Sequence, residues 1–344
     1  MKKILAAMSG GVDSAAAVLA LRAEGYHVDG ATMLLHPYGG AEAEEARRTA
    51  AALGIGFYCF DWQDEFRRAV IEPFKAAYGR GETPNPCIFC NKALKFGRFL
   101  AMAQTLGYDA VATGHYARLT REHGRWLLYT ARDGKKDQTY MLYGLTQDQL
   151  ARVMFPMGDL SKEEARAMTA AAGLTVSSKH DSQDICFIPD GDYLRFLRED
   201  GAVLHPGRFV GPDGEDLGPH KGQEAYTTGQ RRGLEVAYGQ RIYVTGKDAD
   251  GTVRLGPDEA LYQTRVAVRD VNFQPFDALH TPLRAQAKVR YSPQAAPCTI
   301  YPTETGVELV FDNPQRAVTP GQSAVFYDGP LLLGGGTIAA KASP

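Results

Sequence analysis

The sequence predicts an α/β protein: a parallel sheet with helices on both faces, followed by a small central domain and a C-terminal antiparallel β-barrel. Three observations carry that expectation. Up to His115, short apolar runs alternate with segments of helical period, the pattern of βαβ units. Past residue 200, glycine, proline and short β-rich runs take over. Past residue 257 these become closely spaced strands with turn signals, which suits a small barrel. A length of 344 residues agrees with more than one domain, and the expected divisions are 1–195, 196–256 and 257–344.

In chain order, KKILAAM reads as a buried strand and SAAAVLALRAEG as a helix ending at Gly25. HVDGATMLLH is the second strand, EAEEARRTAAALG a helix and GFYCFDW the third strand. DEFRRAVIEPFKAAYG is a helix kinked at Pro73, whose ring cannot enter a helix interior without loss of a hydrogen bond. TPNPCIFCNK is a proline-stiffened loop, after which ALKFGRFLAMAQTLG forms a helix and YDAVATGH a strand. SKEEARAMTAAAGL is a helix opened by a capping box, Ser161 with Glu164, and DICFIPDGDYLRFLRED leads out of the first domain.

The net charge of -2, with 44% hydrophobic and 23% charged residues, is that of a soluble globular protein. The basic pairs Lys135-Lys136 and Arg231-Arg232 read by themselves as solvated surface. Five cysteines (Cys59, Cys87, Cys90, Cys186 and Cys298) are too few and too odd in number for a secreted disulfide framework. The apolar run of MKKILAAMSGGVDS breaks at Gly10-Gly11, which reads as a strand and not a signal peptide. No stretch reaches the roughly 18 unbroken apolar residues of a membrane span. A cytoplasmic protein with reduced thiols and no membrane partner is expected.

Two motifs carry chemistry. SGGVDS sits between the first strand and the first helix, where two glycines permit a sharp turn and the helix N-terminus makes an anion cradle. Without G-K-[ST] or G-x-G-x-x-G, it is neither a common triphosphate loop nor a dinucleotide fingerprint. Cys87-x-x-Cys90 could hold zinc, shuttle a disulfide, anchor an iron–sulfur cluster or carry sulfur.

SGGVDS resembles the pyrophosphate loop of the ATP pyrophosphatases (the PP-loop family), some of which deliver nitrogen and others sulfur. TPNPCIFCNK, TGHYAR, KDQTYML, DSQDICFI, YTTGQRRGL and PGQSAVFY resemble, in the same order, the landmarks of the tRNA-specific 2-thiouridylases over nearly the whole chain. That resemblance implies a PP-loop ATPase domain and the thiolation of C2 of the wobble uridine in tRNA after adenylation of its oxygen. A nitrogen-transferring synthetase or a different tRNA thiolase is the alternative, and it gives the paired cysteines or the C-terminal domain less to do.

The resemblance also implies site residues. ATP with Mg2+ would sit on Ala7, Met8, Ser9, Gly10, Gly11, Val12, Asp13 and Ser14, with Asp13 helping to place the ion and Met33 and Gly114 touching the adenosine. Thr83 through Cys87, including Asn85 and Pro86, would shape the pocket for the flipped base. His115, Lys136, Asp137, Gln138, Arg290, Tyr291 and Gln322 would contact tRNA. Cys186 would carry a persulfide and Cys90 would be its partner nucleophile; the partner that supplies sulfur would be a sulfur-donor protein, or free sulfide bound at the open iron of a cluster. The acidic run DSQD beside Cys186 suggests a mobile loop. Cys87 departs from the familiar pattern, which has an aspartate there. Cys87, Cys90 and Cys186 together fit a 4Fe–4S cluster with one open iron, a thiol assisting the persulfide route, or zinc.

Overall fold

The computed structural model describes residues 1–175, 185–292 and 294–340. The DSQD run, residues 181–184, lies outside the described residues.

The apolar runs near the start form β1 (Lys3–Ala7), β2 (His27–Leu34), β3 (Phe57–Asp61) and β4 (Ala110–Ala112). A hairpin follows, β5 (Ala117–Glu122) with β6 (Arg125–Thr130), and β7 (Val153–Met154) returns to the first sheet. That sheet is parallel throughout, in the order β3-β2-β1-β4-β7. Its connections run outward from β1 in one direction and then start again at β4 on the other side. The β1/β4 boundary is therefore a topological switch point, and a ligand crevice opens at the carboxyl ends of those strands.

Helices α1 (Val12–Ala23) and α2 (Gly40–Ala52) stand where the helical periods predict them. Gly25, at φ +85, lets the chain leave α1 in the left-handed conformation. Helix α3 (63–79) holds Pro73 differently from a simple kink. Its hydrogen bonding widens to the π type over Arg67–Ile71 and the α-helix resumes at Glu72, so the turn reorganises just ahead of the missing donor.

Helix α4 (86–105) begins earlier than expected: the chain is already helical at Pro86, and both cysteines of the C-x-x-C pair lie in its first turns. Asn85 is the cap, its side chain accepting from the Cys87 N–H at 3.1 Å, and Pro86 follows at the first helical position. Among the described residues three shorter helices follow, α5 (Gln147–Leu150), α6 (Lys162–Ala171) and α7 (Tyr193–Glu199). The Ser161–Glu164 capping box opens α6 as expected.

The central segment folds as a four-stranded sheet of β8 (Gly207–Val210), β9 (Asp216–His220), β10 (Tyr243–Lys247) and β11 (Val253–Gly256), in the order β10-β11-β8-β9. The last strands are β12 (Tyr262–Phe273), β13 (Leu283–Lys288), β14 (Ala296–Thr303), β15 (Gly306–Arg316), β16 (Ser323–Asp328) and β17 (Leu331–Ile338). Their order β12-β15-β14-β13-β16-β17 closes through β12–β17 into an antiparallel barrel around Val266, Ile300, Leu309, Phe311 and Phe326. Closure needs the glycines of LLLGGGTI: a Cβ at Gly334, φ +149, would overlap the Asn272 carbonyl on β12.

The β5–β6 hairpin leaves the first sheet and extends the barrel, with Tyr129 facing Leu331 of β17. Val325, Tyr327 and Leu332 of the barrel pack in one core with Leu5, Phe96, Leu128 and Tyr140. Barrel and parallel sheet thus share their largest apolar core, and neither covers its own face alone. Among the described residues no helix is long and apolar enough to cross a membrane.

Candidate active site

The pyrophosphate-type loop lies at the switch point. Gly10 takes φ +69, and a Cβ there would stand 2.9 Å from the Glu42 carbonyl, so glycine is required by conformation and by space. Gly11 caps α1 with no side chain of its own. The loop is tied by the Ser9 N–H donating to Ser14 Oγ (3.3 Å) and by Ser14 Oγ donating to the Gly11 carbonyl (3.0 Å). Ala7 ends β1 while Met8, Val12 and Ser14 are buried beneath, leaving Ser9 at the surface. The arrangement aims the N-terminus of α1 outward, which favours a phosphate. Gly114 belongs to the same place, since a Cβ on it would lie 2.9 Å from Ser14 N and from the Asp13 carbonyl carbon. Met33, next to last in β2, is half-buried beside that crevice.

Asp13 is held by groups the sequence reading passed over. Lys162 Nζ lies 2.8 and 2.9 Å from its two oxygens, and the Tyr116 hydroxyl donates to Oδ1 at 2.7 Å. Lys162 is buried at the first helical position of α6, where acids are usually favoured over bases. That inversion was the available signal. With Lys162 beside its carboxylate, Asp13 does not cancel the positive end of α1.

The sulfur end is built on α4. Cys87 is exposed and Cys90 buried, and Cys90 packs with Phe66, Phe74, Phe187 and Ile188. Cys186 adjoins that cluster through Phe187 and keeps an exposed surface. Burial pushes the Cys90 thiol up, with Lys95 opposing and Cys87 adding to the rise. Burial of its thiol against that cluster, then Cys90 and Cys87, pushes Cys186 up to about 12 although the residue as a whole keeps exposed surface. The three thiols therefore share one neighbourhood.

Lys95 reaches that neighbourhood because of helix geometry. An α-helix would turn the fifth residue after Cys90 about 140° away. The π-type bonding over Asn91–Arg98, which pairs i with i+5, brings it back. Among the described residues no three His, Cys, Asp or Glu side chains are gathered closely enough to hold a metal ion. The thiols are neighbours without forming a ready ligand set. Cys59 on β3 and Cys298 in the barrel stand apart, the latter pushed up to about 12 by burial.

The other positions divide. Gln322 Nε2 donates to the Thr83 carbonyl at 2.8 Å, and the Thr83 N–H donates to the Pro320 carbonyl at 2.8 Å, docking the TPNPC stretch on the barrel. Thr83, Arg290 and Gln322 line one cleft of about 310 Å³ together with Thr227, Thr228 and Gly229 of the central unit. The buried Thr83 Oγ1 has no hydrogen-bond partner among the described residues.

Asp137 is buried and accepts from the Ala131 N–H (3.1 Å) and Thr139 Oγ1 (2.8 Å), which makes it a knot of its own loop. Gln138 Oε1 accepts from the Tyr116 N–H at 3.0 Å, linking the Lys136–Gln138 turn to the residue that grips Asp13. Tyr291 is 53% exposed, its hydroxyl donating to the Asp137 carbonyl at 3.3 Å. His115 packs against Phe96 and Phe155 with Nδ1 2.8 Å from Thr113 Oγ1, and burial keeps its ring neutral. Close to α2, the buried His36 has Nδ1 with no partner among the described residues, and burial lowers its pKa.

Comparison with known proteins agrees with this architecture. Family models match in succession: a tRNA methyl transferase HUP domain over residues 2–190, a tRNA methyl transferase PRC-barrel domain over 195–253 and an aminomethyltransferase beta-barrel domain over 263–338. The tRNA-specific 2-thiouridylase MnmA of Clostridium acetobutylicum is 45% identical over 352 residues, spanning 98% of this chain and 99% of that one. Those of Acetivibrio thermocellus and Roseiflexus sp. are also 45% identical, over 98% of this chain and 99% and 100% of theirs. With that identity along its whole length, the chain belongs to the tRNA-specific 2-thiouridylase family, whose members are tRNA sulfurtransferases.

Proposed function

We propose that the protein replaces the C2 oxygen of the tRNA wobble uridine with sulfur, in the cytoplasm and at the expense of ATP. The observation that carries this reading is the pairing of an anion cradle at the switch point with thiols on α4 and at Cys186. The uridine O2 attacks the α-phosphorus of ATP and pyrophosphate leaves, so that the oxygen becomes part of a good leaving group. The loop from Ala7 to Ser14 holds the phosphates, while Met33 and Gly114 flank the adenosine. Magnesium would arrive with the phosphates, and Asp13, beside the cradle, would help to place it.

The terminal sulfur of a Cys186 persulfide then attacks C2, and AMP departs with the oxygen. Cys90 attacks Cys186 Sγ; the sulfur–sulfur bond to the base breaks, its electron pair stays on the new 2-thio group, and a Cys90–Cys186 disulfide remains for a reductant to open. A persulfide suits this site because the plain Cys186 thiol, pushed up to about 12, is almost wholly protonated at neutral pH. Thr83 to Cys87 shape the base pocket, and Arg290, Tyr291, Gln322, His115 and the turn at Lys136–Gln138 belong to the tRNA-facing side. The outer sulfur of the persulfide comes from a donor protein that itself carries a persulfide and hands its terminal sulfur to Cys186 by thiol exchange; free sulfide would serve only the cluster alternative, as a ligand of its open iron.

The test is AMP release and 2-thiouridine formation, read by mass spectrometry of digested tRNA. AMP release that needs tRNA, with loss of 2-thiouridine in Cys90→Ser and Cys186→Ser, supports the reading. AMP release without tRNA, or with ammonia as acceptor, sinks it. Full thiolation under iron chelation supports the persulfide route, whereas activity lost together with iron would replace it with a cluster at Cys87, Cys90 and Cys186.

A further inference from the structure

We propose that the loop from Gly229 to Ile242 in the central unit is a second contact for the tRNA sugar–phosphate backbone, made by Arg231, Arg232 and Arg241. The inference rests on the tRNA reading above and extends it to a surface that the reaction itself does not use. Gly229, Gly233 and Gly239 take φ of +89, +75 and +73, folding the loop back on itself. Arg231 and Arg241, ten positions apart, consequently line one cleft of about 680 Å³. Leu234 and Ile242, each 5% exposed, anchor the loop to the apolar core of the unit, which fixes the recess.

Charge pairing singles out these arginines. On the same unit Arg208 holds Asp216, Arg254 holds Asp248 at 2.6 Å and Lys221 holds Glu235 at 2.7 Å. Arg231, Arg232 and Arg241 are exposed, and among the described residues none of them meets a carboxylate. Glu235, the acid that lines the cleft, is neutralised by Lys221. Arg231 and Arg241 face one cleft without counter-charge and repel one another, with Arg232 beside them in the chain, and a polyanion relieves that. Their planar donor forks match phosphate oxygens in pairs.

Continuity selects RNA over another polyanion. The same loop starts from Thr227, Thr228 and Gly229, which line the smaller cleft with Thr83, Arg290 and Gln322. Gly229 of that cleft lies two positions from Arg231 of the larger one, so the two recesses adjoin along the chain and one strand of RNA could serve both. An acidic sulfur-donor protein is the competing occupant.

The experiment compares full-length wild type with Arg231→Ala/Arg232→Ala/Arg241→Ala, measuring affinity for an unmodified tRNA transcript between about 50 and 200 mM salt. We expect the Kd to rise at least about tenfold at the lower salt, and the slope of log K against log salt to shrink by about two, at roughly 0.7–0.9 per lost phosphate contact. ATP binding and the melting temperature should hold. An unchanged slope overturns the proposal; if sulfur delivery from a donor protein falls at the same time, the arginines belong to that partner. A wild-type protein without tRNA affinity would instead remove the thiouridylase reading on which the proposal stands.

Discussion

Lys162 Nζ lies 2.8 Å from Asp13 Oδ1 and 2.9 Å from Oδ2, joining the first turn of α6 to the first turn of α1. This pair sets the charge beside the phosphate cradle. Removing the lysine leaves an anion where the nucleotide's phosphates arrive, and two charges about 4 Å apart at a protein surface repel by about 4 kcal/mol. Lys162→Met should therefore raise the KM for ATP at least about tenfold and cost about 1–3 kcal/mol of stability from the lost charged hydrogen bonds. Lys162→Arg should recover the stability first. Initial-rate kinetics and urea unfolding check both, and an unchanged KM would show that the pair is purely structural.

Thiol reactivity should follow burial. The folded pKa of Cys186, near 12 against an ordinary 9.0, keeps it protonated well above neutral pH, and Cys90 is shifted in the same direction. Iodoacetamide reacts with thiolate, so labelling of Cys186 should climb about tenfold per pH unit from pH 8 toward 11. Buried Cys90 should be labelled last, behind Cys87 and Cys186, which both keep exposed surface. The stability gained from keeping these thiols neutral is complete below about 9 and lost as pH rises through their folded values. Peptide mapping of tRNA-free protein reads the order; labelling of Cys90 ahead of Cys186 would contradict the burial argument.

Asp200, just past α7, accepts from Arg67 Nη2 at 2.5 Å and from Lys75 Nζ at 2.9 Å, both on α3. Arg67 first and then Lys75 hold its carboxyl below 3.8, against the pull of burial. A depressed carboxylate contributes stability above its unfolded pKa and loses it as pH falls through the folded one. Asp200→Asn should therefore lower stability by about 1–3 kcal/mol at pH 7 and by progressively less below pH 4. Denaturant titrations at the two pH values make the comparison. An equal penalty at both would mean that the contact is packing and not charge.

How far the sequence could be read depended on the range of the interaction. The alternation of KKILAAM, HVDGATMLLH and GFYCFDW with helical periods is local, and it led to the parallel sheet. The Ser161–Glu164 box needed only four residues. The helical start at Pro86 is also local, written in Asn85-Pro86, although two prolines so close together also suit a stiff loop. The grip of Lys162 on Asp13 spans 149 positions and has no local mark beyond a base where an acid is usual. The return of Lys95 toward Cys90 depends on a change of helix type that apolar periodicity does not reveal. The union of the β5–β6 hairpin with the barrel is a pairing between distant edges, legible only once both are folded.

That union makes the C-terminal strands part of the active-site unit. Tyr140 donates to the Ser323 carbonyl at 2.8 Å, the Tyr143 hydroxyl lies 3.0 Å from Ser323 Oγ, and Asn272 Nδ2 donates to the Tyr143 carbonyl at 2.6 Å. Val325, Tyr327 and Leu332 complete the core that holds Phe96 of α4 and Leu128 of β6. A chain ended at residue 256 would expose that face, strand the buried hydroxyls of Tyr140 and Tyr143, and free the edge of β6 for intermolecular pairing. We expect such a truncation to aggregate, and the intact protein to unfold the parallel sheet and barrel in one calorimetric transition. The milder Ser323→Val, which removes one of the two side-chain partners of the Tyr143 hydroxyl and leaves Thr337, should keep the fold and cost about 1 kcal/mol. A soluble truncation that still binds ATP would mean that the shared core is dispensable, and that the cradle and α4 are held by the parallel sheet alone.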